Sequence, residues 1–345
     1  SAQLNAPHDQ NIVNQLEGKV SGVAITGSGP PGGSNKLPLR GANSITGNNA
    51  PLFIVDGTPV SNRGRGGSPN GGGLGSTNVD FGSVINDIDP NDIATVTVLK
   101  GPNAAAIYGS RGANGVVLIT TKRGSASANG FQTALTSSVT WDTPSITPKF
   151  QDLYGQGSGG QFQFVDGAGG GTQDFNDQSF GPRLDGRTMG CIFTPVKGST
   201  TYDQTQPCTQ FDSPVVNGVL QPSPWIAHPD NVSSFFQTGQ TWNNNLSFSG
   251  GTDRATGRVS VGNENTKGVI PNNTFTKFSG SLAGNFNVSS RISTSATVQY
   301  INNKAHDRPG VGYNSGIMEG LYVWFVRQVD MNALKEYQFH PDQMF

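Results

Sequence analysis

Charge is scarce in this sequence. Of 345 residues, 22 are Lys or Arg and 23 are Asp or Glu, 13 % together, about half the ~25 % of a typical soluble domain. The net charge is −1, and with no basic face to neutralise phosphates a nucleic-acid binder is excluded. A disordered acidic tail is excluded too, because the charge nearly balances and Phe occurs 19 times. Long apolar runs are missing: the longest, such as Val116–Ile119 and Tyr322–Val326, fall far short of the ~20 residues of a membrane helix. No charged-then-apolar leader opens the chain, as expected of a protein that is not exported or of a sequence that begins after processing.

Cysteine is limited to Cys191 and Cys208. They form no CxxC and have no His cluster nearby, so metal is not indicated. Both lie in one Gly/Pro/Thr/Gln-rich segment, and the expectation is a disulfide closing a surface loop in an oxidising compartment, worth ~3 kcal/mol by loop entropy. His8, His228, His306 and His340 are scattered, without metal spacing or a nucleophile–base arrangement. Asp166, Asp174, Asp177 and Asp185 lack EF-hand spacing and read as a solvated loop. No catalytic residue, metal or cofactor is expected.

Glycine is abundant, with 48 residues, and Pro adds 21. Up to about residue 125, short apolar runs alternate with Gly/Asn/Pro turns: Val23–Thr26, Leu37–Arg40, Pro51–Val55, Ile93–Leu99 and Gly115–Thr121. Each reads as a short buried strand. Asn11–Glu17 is expected to be helical and to stop at Gly18; Pro102–Tyr108 is a second helix, with Pro at its first position and Gly109 after it. These elements predict a small α+β unit over 1–125.

From residue 126 to 345 the period becomes two. Strands are expected near 131–142, 242–250, 255–263, 276–288 and 292–302, with Leu, Val, Phe and Trp on one face and Ser, Thr, Asn and Gln on the other. The lengths suit tilted membrane-spanning strands, and the uncharged polar face suits a hydrated lumen. Connections alternate between long (143–240, 265–274, after 302) and tight (252–254, 289–290), as they must when hairpins end on opposite sides of a membrane. Trp141 and Trp242 then fall together at the outer end, where an aromatic girdle forms. Five strands cannot close a barrel, which needs at least ~8, so the expectation is the front part of a larger barrel or a chain that pairs with another polypeptide.

Gly27, Gly29 and Gly32 match GxGxxG, but Pro30, Pro31 and Pro38 forbid the helix a dinucleotide site requires. A turn is predicted instead. Other motifs are more specific. Leu16–Thr26 (LEGKVSGVAIT), Leu39–Gly47 (LRGANSITG), Pro51–Val60 (PLFIVDGTPV), Ile88–Ile93 (IDPNDI), Val98–Pro102 (VLKGP) and Ala106–Gly124 follow in order. Together they resemble the plug domain of TonB-dependent outer-membrane transporters, and more narrowly the SusC/RagA-like branch. Lys267–Pro271, Asp307–Gly310 and Phe325–Asp330 resemble the barrel of that branch.

The resemblance implies an α+β plug followed by transmembrane antiparallel β-barrel strands, the full barrel having about 22 strands with its lumen plugged. It implies outer-membrane lipid around the barrel, energy from TonB with ExbB–ExbD, and a SusD-like surface lipoprotein as lid. The function it implies is active import of a bulky oligosaccharide or oligopeptide. The alternative is a structural subunit among other envelope-complex proteins for assembly or secretion. Arg40, Lys100 and Arg111 sit in the matched motifs as candidates for plug–wall ion pairs. Asn62, Arg63 and Arg65, in the Gly-rich stretch 61–76, are candidates for substrate contact, and Phe162, Phe164, Phe175 and Phe180 could stack on sugars. The family's TonB box is not among these 345 residues.

Overall fold

In a computed structural model of the chain the described residues are 12–16, 18–23, 25–27, 30–39, 41, 49–60, 79–100, 102–124, 130–145, 148–157, 159–160, 179–187, 215–216, 219–220, 224–311 and 316–335. The N-terminal body opens with a 3-10 turn, Asn14–Leu16, at the expected amphipathic helix. Ile12, Val13 and Leu16 are buried there. β1 (Thr26–Gly27) pairs with β2 (Asn35–Lys36), extended by a bridge between Val23 and Leu39.

β3 (Leu52–Val55), β4 (Thr58–Val60), β5 (Ile93–Leu99) and β6 (Val116–Thr121) form a sheet in the order β4-β3-β6-β5, with only β3 and β6 parallel. The β3–β4 hairpin turns on Asp56 (φ 47) and Gly57 (φ 87), the positive-φ pair that matches strand twist. The Asp56 carboxylate accepts from Thr121 N (3.0 Å) and Thr121 Oγ (2.6 Å), tying the turn to β6. α1 (Val84–Asp87) and a 3-10 turn, Pro90–Asp92, precede β5; α2 (Pro102–Tyr108) follows it and ends at Gly109, φ 63. The core unites Ile12, Leu37, Phe53, Ile85, Ile93 and Ile119 with their neighbours.

β7 (Gln132–Asp142) begins a second sheet. After the short pair β8 (Val215–Val216) and β9 (Val219–Leu220), and α3 (Asn231–Phe235), come β10 (Gly239–Gly251), β11 (Ala255–Lys267), β12 (Thr274–Ser289) and β13 (Ile292–His306). The order is β13-β12-β11-β10-β7, antiparallel throughout. Strands β10 to β13 run past the alternating stretches read from sequence, chiefly at the long-connection end.

The alternation of burial along β11 is nearly perfect, and its sign is inverted. Arg258, Ser260, Glu264 and Thr266 are buried while Val259 and Val261 are exposed. Leu135, Trp141, Trp242, Phe248, Leu282, Phe286, Val298 and Tyr300 are exposed on the same face, a continuous apolar surface far larger than soluble proteins carry. The face is apolar because its solvent is lipid; the polar face meets the N-terminal body. No helix among the described residues is long and apolar enough to cross a membrane; the strands are the crossing elements.

Residues 144–237 and 317–345 make a separate compact unit. It contains α4 (Ile317–Glu319), a π-helical turn Gly320–Trp324 and α5 (Met331–Leu334). Val232, Leu321 and Met331 form its small core with Phe150, Tyr322 and Phe325 around them. Arg327 lies over the Phe150 ring (5.1 Å) and donates to Asp152 (2.6 and 2.9 Å).

Candidate functional site

One segment of the N-terminal body, residues 79–92, supplies most of the hydrogen bonds to the wall. Its sequence reads in two directions. Ile85 and Ile88 turn into the core, which leaves Asp87, Asp89 and Asp92 facing the strands. Pro90 opens the 3-10 turn and Asp89 caps it, with Oδ1 accepting from Asn91 N (2.9 Å). The same carboxylate accepts through Oδ2 from wall residues Asn245 (2.8 Å) and Ser279 (3.2 Å). A glycine makes this approach possible, since a Cβ on Gly262 would meet Asp89 Oδ2 at 2.4 Å.

Contacts follow the wall from end to end. Nearest the long connections, Val79 bridges Gly310 and Arg308 donates to the Asp80 carbonyl (2.6 Å). Next, Asn303 donates to Asp87. Asp89 holds the middle. Nearest the tight turns, Asp92 pairs with Arg258 (2.8 Å), both side chains 6 % exposed, and accepts from Ser260 Oγ (2.7 Å). The wall carries its own cross-strand pair, Lys277–Glu264 at 3.1 Å. Lys122 donates to the Asn91 carbonyl (2.7 Å).

Burial, and then the charge of Asp89, hold the Asp92 carboxyl above its ordinary pKa against Ser260 and Arg258. Lys122 sits below its ordinary value, through burial first and Arg258 second. Buried pairs of this kind add little net stability, but losing one partner is costly. They therefore hold the body in one register on the wall without the strength of an apolar interface.

Gly32, the last glycine of the GxGxxG match, packs at the long-connection end of this seam. Gly32, φ 69, lies against Phe275, where a Cβ would come within 2.5 Å of the ring. Beside it a cavity of about 500 Å³ lies between Val79, Phe81 and Asp87 of the segment and Asn303, Ala305 and Arg308 at the end of β13.

Of the residues singled out from sequence, Lys100 donates to the Ser21 carbonyl inside the N-terminal body, and Arg111 is exposed on the 3-10 turn after α2. Arg40, Asn62, Arg63, Arg65, Cys191, Cys208, Phe162, Phe164 and Phe175 lie outside the described residues. Phe180 is exposed in the second unit, and Asp185 there is paired with Arg187, which lowers its pKa to about 2. The residues that join body to wall were therefore missed: the acids of IDPNDI and the charged residues of the strands. A readable signal existed. Arg258, Glu264 and Lys277 lie on the Ser/Thr/Asn face of lipid-facing strands, where an ionisable group needs a partner.

Comparison with known proteins agrees with this architecture. Residues 1–116 match the TonB-dependent receptor plug domain. The TonB-dependent receptor SusC of Bacteroides thetaiotaomicron is 41 % identical over 115 residues, 33 % of this chain and 10 % of that protein. The TonB-dependent receptor P26 of Formosa agariphila is 42 % identical over 127 residues, 36 % of this chain and 11 % of that protein. The RagAB peptide importer in its open-open state matches 95 % of this chain and 32 % of that chain, with TM-score 0.61 and 22 % identity. Its closed-closed state gives TM-score 0.58 at 21 % identity over 93 % of this chain.

The fold, a plug-like body docked on the polar face of an antiparallel sheet with an apolar outer face, matches that of solved TonB-dependent receptor structures, and residues 1–116 carry the plug-domain match. Over the plug segment the chain is similar to SusC, and in fold it is similar to the RagAB chain. It spans about a tenth of the curated relatives and about a third of the solved chains.

Proposed function

We propose that this chain is the plug-bearing front of an outer-membrane importer that takes in a bulky oligosaccharide or oligopeptide. In this reading residues 1–125 are the plug and 126–345 the opening part of the wall. TonB, driven by ExbB–ExbD, supplies the energy, and a SusD-like surface lipoprotein closes the mouth. The observation that carries the reading is the seam itself. Among the described residues the plug is held by single hydrogen bonds and one ion pair along 79–92, a contact that can be broken and remade bond by bond.

The test is uptake by cells lacking the gene for the whole protein, supplied with oligosaccharide and oligopeptide mixtures. Disappearance of one class from the medium stops on deletion, stops again when TonB is inactivated, and returns with the full-length gene. Unchanged uptake of every component, with the protein recovered among assembly or secretion proteins, would favour a structural subunit instead.

A further inference from the structure

Arg308 is an uncommon cation. It is half-buried at the end of β13, yet among the described residues no carboxylate lies within ion-pair distance. Its described acceptor is a neutral one, the Asp80 carbonyl at 2.6 Å, and its guanidinium lies 5.8 Å from the centre of the Phe275 ring. The acid beside it in space is turned elsewhere. The Asp80 carboxylate accepts from Ser34 N (2.6 Å), Ser34 Oγ (2.7 Å) and Gly82 N (2.8 Å), which closes the glycine turn, and it acts on Arg308 only through space.

Arg308 lines the 500 Å³ cavity. Among the described residues Asp87 is the one carboxylate lining it, and it receives the Asn303 amide. Phe81, 60 % exposed, also lines it. A planar fork of five N–H donors fixed at one edge by a carbonyl leaves other edges suited to a bidentate carboxylate. Burial lowers the pKa of Arg308 despite the nearby Asp80, as expected of a cation held out of water without a full counter-charge.

We propose that this cavity is a subsite for an anionic group of the cargo, a carboxylate, held by Arg308 with the adjoining planar or apolar part on Phe81. The proposal rests on the importer reading and adds to it a chemical class: cargo that carries acid groups. Because another edge of the fork keeps the Asp80 carbonyl, a bound carboxylate adds to the contacts that hold the plug segment at this end.

The test uses the full-length protein in nanodiscs with benzoate as probe and benzamide, its neutral isostere, as control. Protection of residues 79–88 and 303–310 from hydrogen exchange is followed during titration. Benzoate raises protection at a concentration at least tenfold below that of benzamide, the scale of one charge-assisted hydrogen bond. Arg308→Gln removes the difference, whereas Arg187→Gln, on an exposed loop, keeps it. The acid-against-amide comparison in the unaltered protein stands even where Arg308→Gln loosens the plug. Equal effects of the two probes, no effect of benzoate, or a benzoate effect that survives Arg308→Gln would each overturn the subsite. The importer reading is judged separately, by uptake on gene deletion.

Discussion

Replacing Arg258 by Met probes the seam where it is most buried. Arg258 and Asp92 meet at 2.8 Å with both side chains 6 % exposed. Removing the cation leaves Asp92 buried beside Asp89, with Ser260 still donating at 2.7 Å. Loss of one partner from a buried pair costs about 3–5 kcal/mol. The surviving hydroxyl places this case near the lower end. About 3 kcal/mol corresponds to roughly a hundredfold more frequent opening of the segment. Hydrogen exchange of residues 84–93 in the full-length protein reads that opening directly, so protection falls about a hundredfold while strand β12 keeps its own. The double variant Asp92→Asn with Arg258→Met removes both charges and returns protection to within about tenfold of the parent. Unchanged protection in the single variant, or a double variant as loose as the single, would show that the pair does not hold the plug.

Three further outcomes follow from the same geometry. Asp92 titrates above its ordinary value because burial and Asp89 favour its proton, so the docked plug binds that proton more tightly than the released plug. Docking is therefore firmest below the ordinary carboxyl range, near pH 3.9, and weakens as pH rises from there through the raised value. Asp92→Asn flattens that slope in exchange protection measured against pH. Leu282→Arg, near the middle of β12 on the lipid face and flanked by Val259 and Val298, costs about 2–4 kcal/mol, read as loss of the heat-modifiable folded band of the full-length barrel. Gly32→Val forces a branched side chain into a φ of 69 against Phe275. Strain of about 1–3 kcal/mol should make the plug accessible to protease at lower enzyme concentration, with the barrel band unchanged.

The wall was legible because lipid imposes one rule on the membrane-facing stretches, as where Val259 and Val261 face out and Ser260 and Gly262 face in along β11. Ends were less clear. Asn263–Lys267 and Asn302–His306 are polar on both faces, so hydrophobic period cannot mark where pairing stops; backbone hydrogen bonding to Gln240–Asn244 and Thr274–Phe278 continues regardless. In the plug, Pro102 and Gly109 bound α2 as local chemistry requires, whereas 11–17 yields only a 3-10 turn among the described residues, too short to propagate a helix. The plug–wall partners were illegible for a different reason. Asp89 meets Ser279 across 190 residues, and no local pattern in IDPNDI distinguishes an acid that caps its own turn from one that also grips a wall. In the described seam the acids belong to the plug and Arg258 and Arg308 to the wall.

In the proposed importer reading, residues 79–92 must leave the wall for cargo to pass. Val79 and Gly310 face each other in an antiparallel bridge, a spacing that accepts a disulfide. In the full-length protein with Cys191 and Cys208 replaced by Ser, Val79→Cys with Gly310→Cys can be locked by oxidation and released by a reductant. Uptake of the cargo found by the deletion test should stop on oxidation and recover on reduction, while each single cysteine variant transports throughout. Full uptake by the oxidised, cross-linked protein would contradict the account.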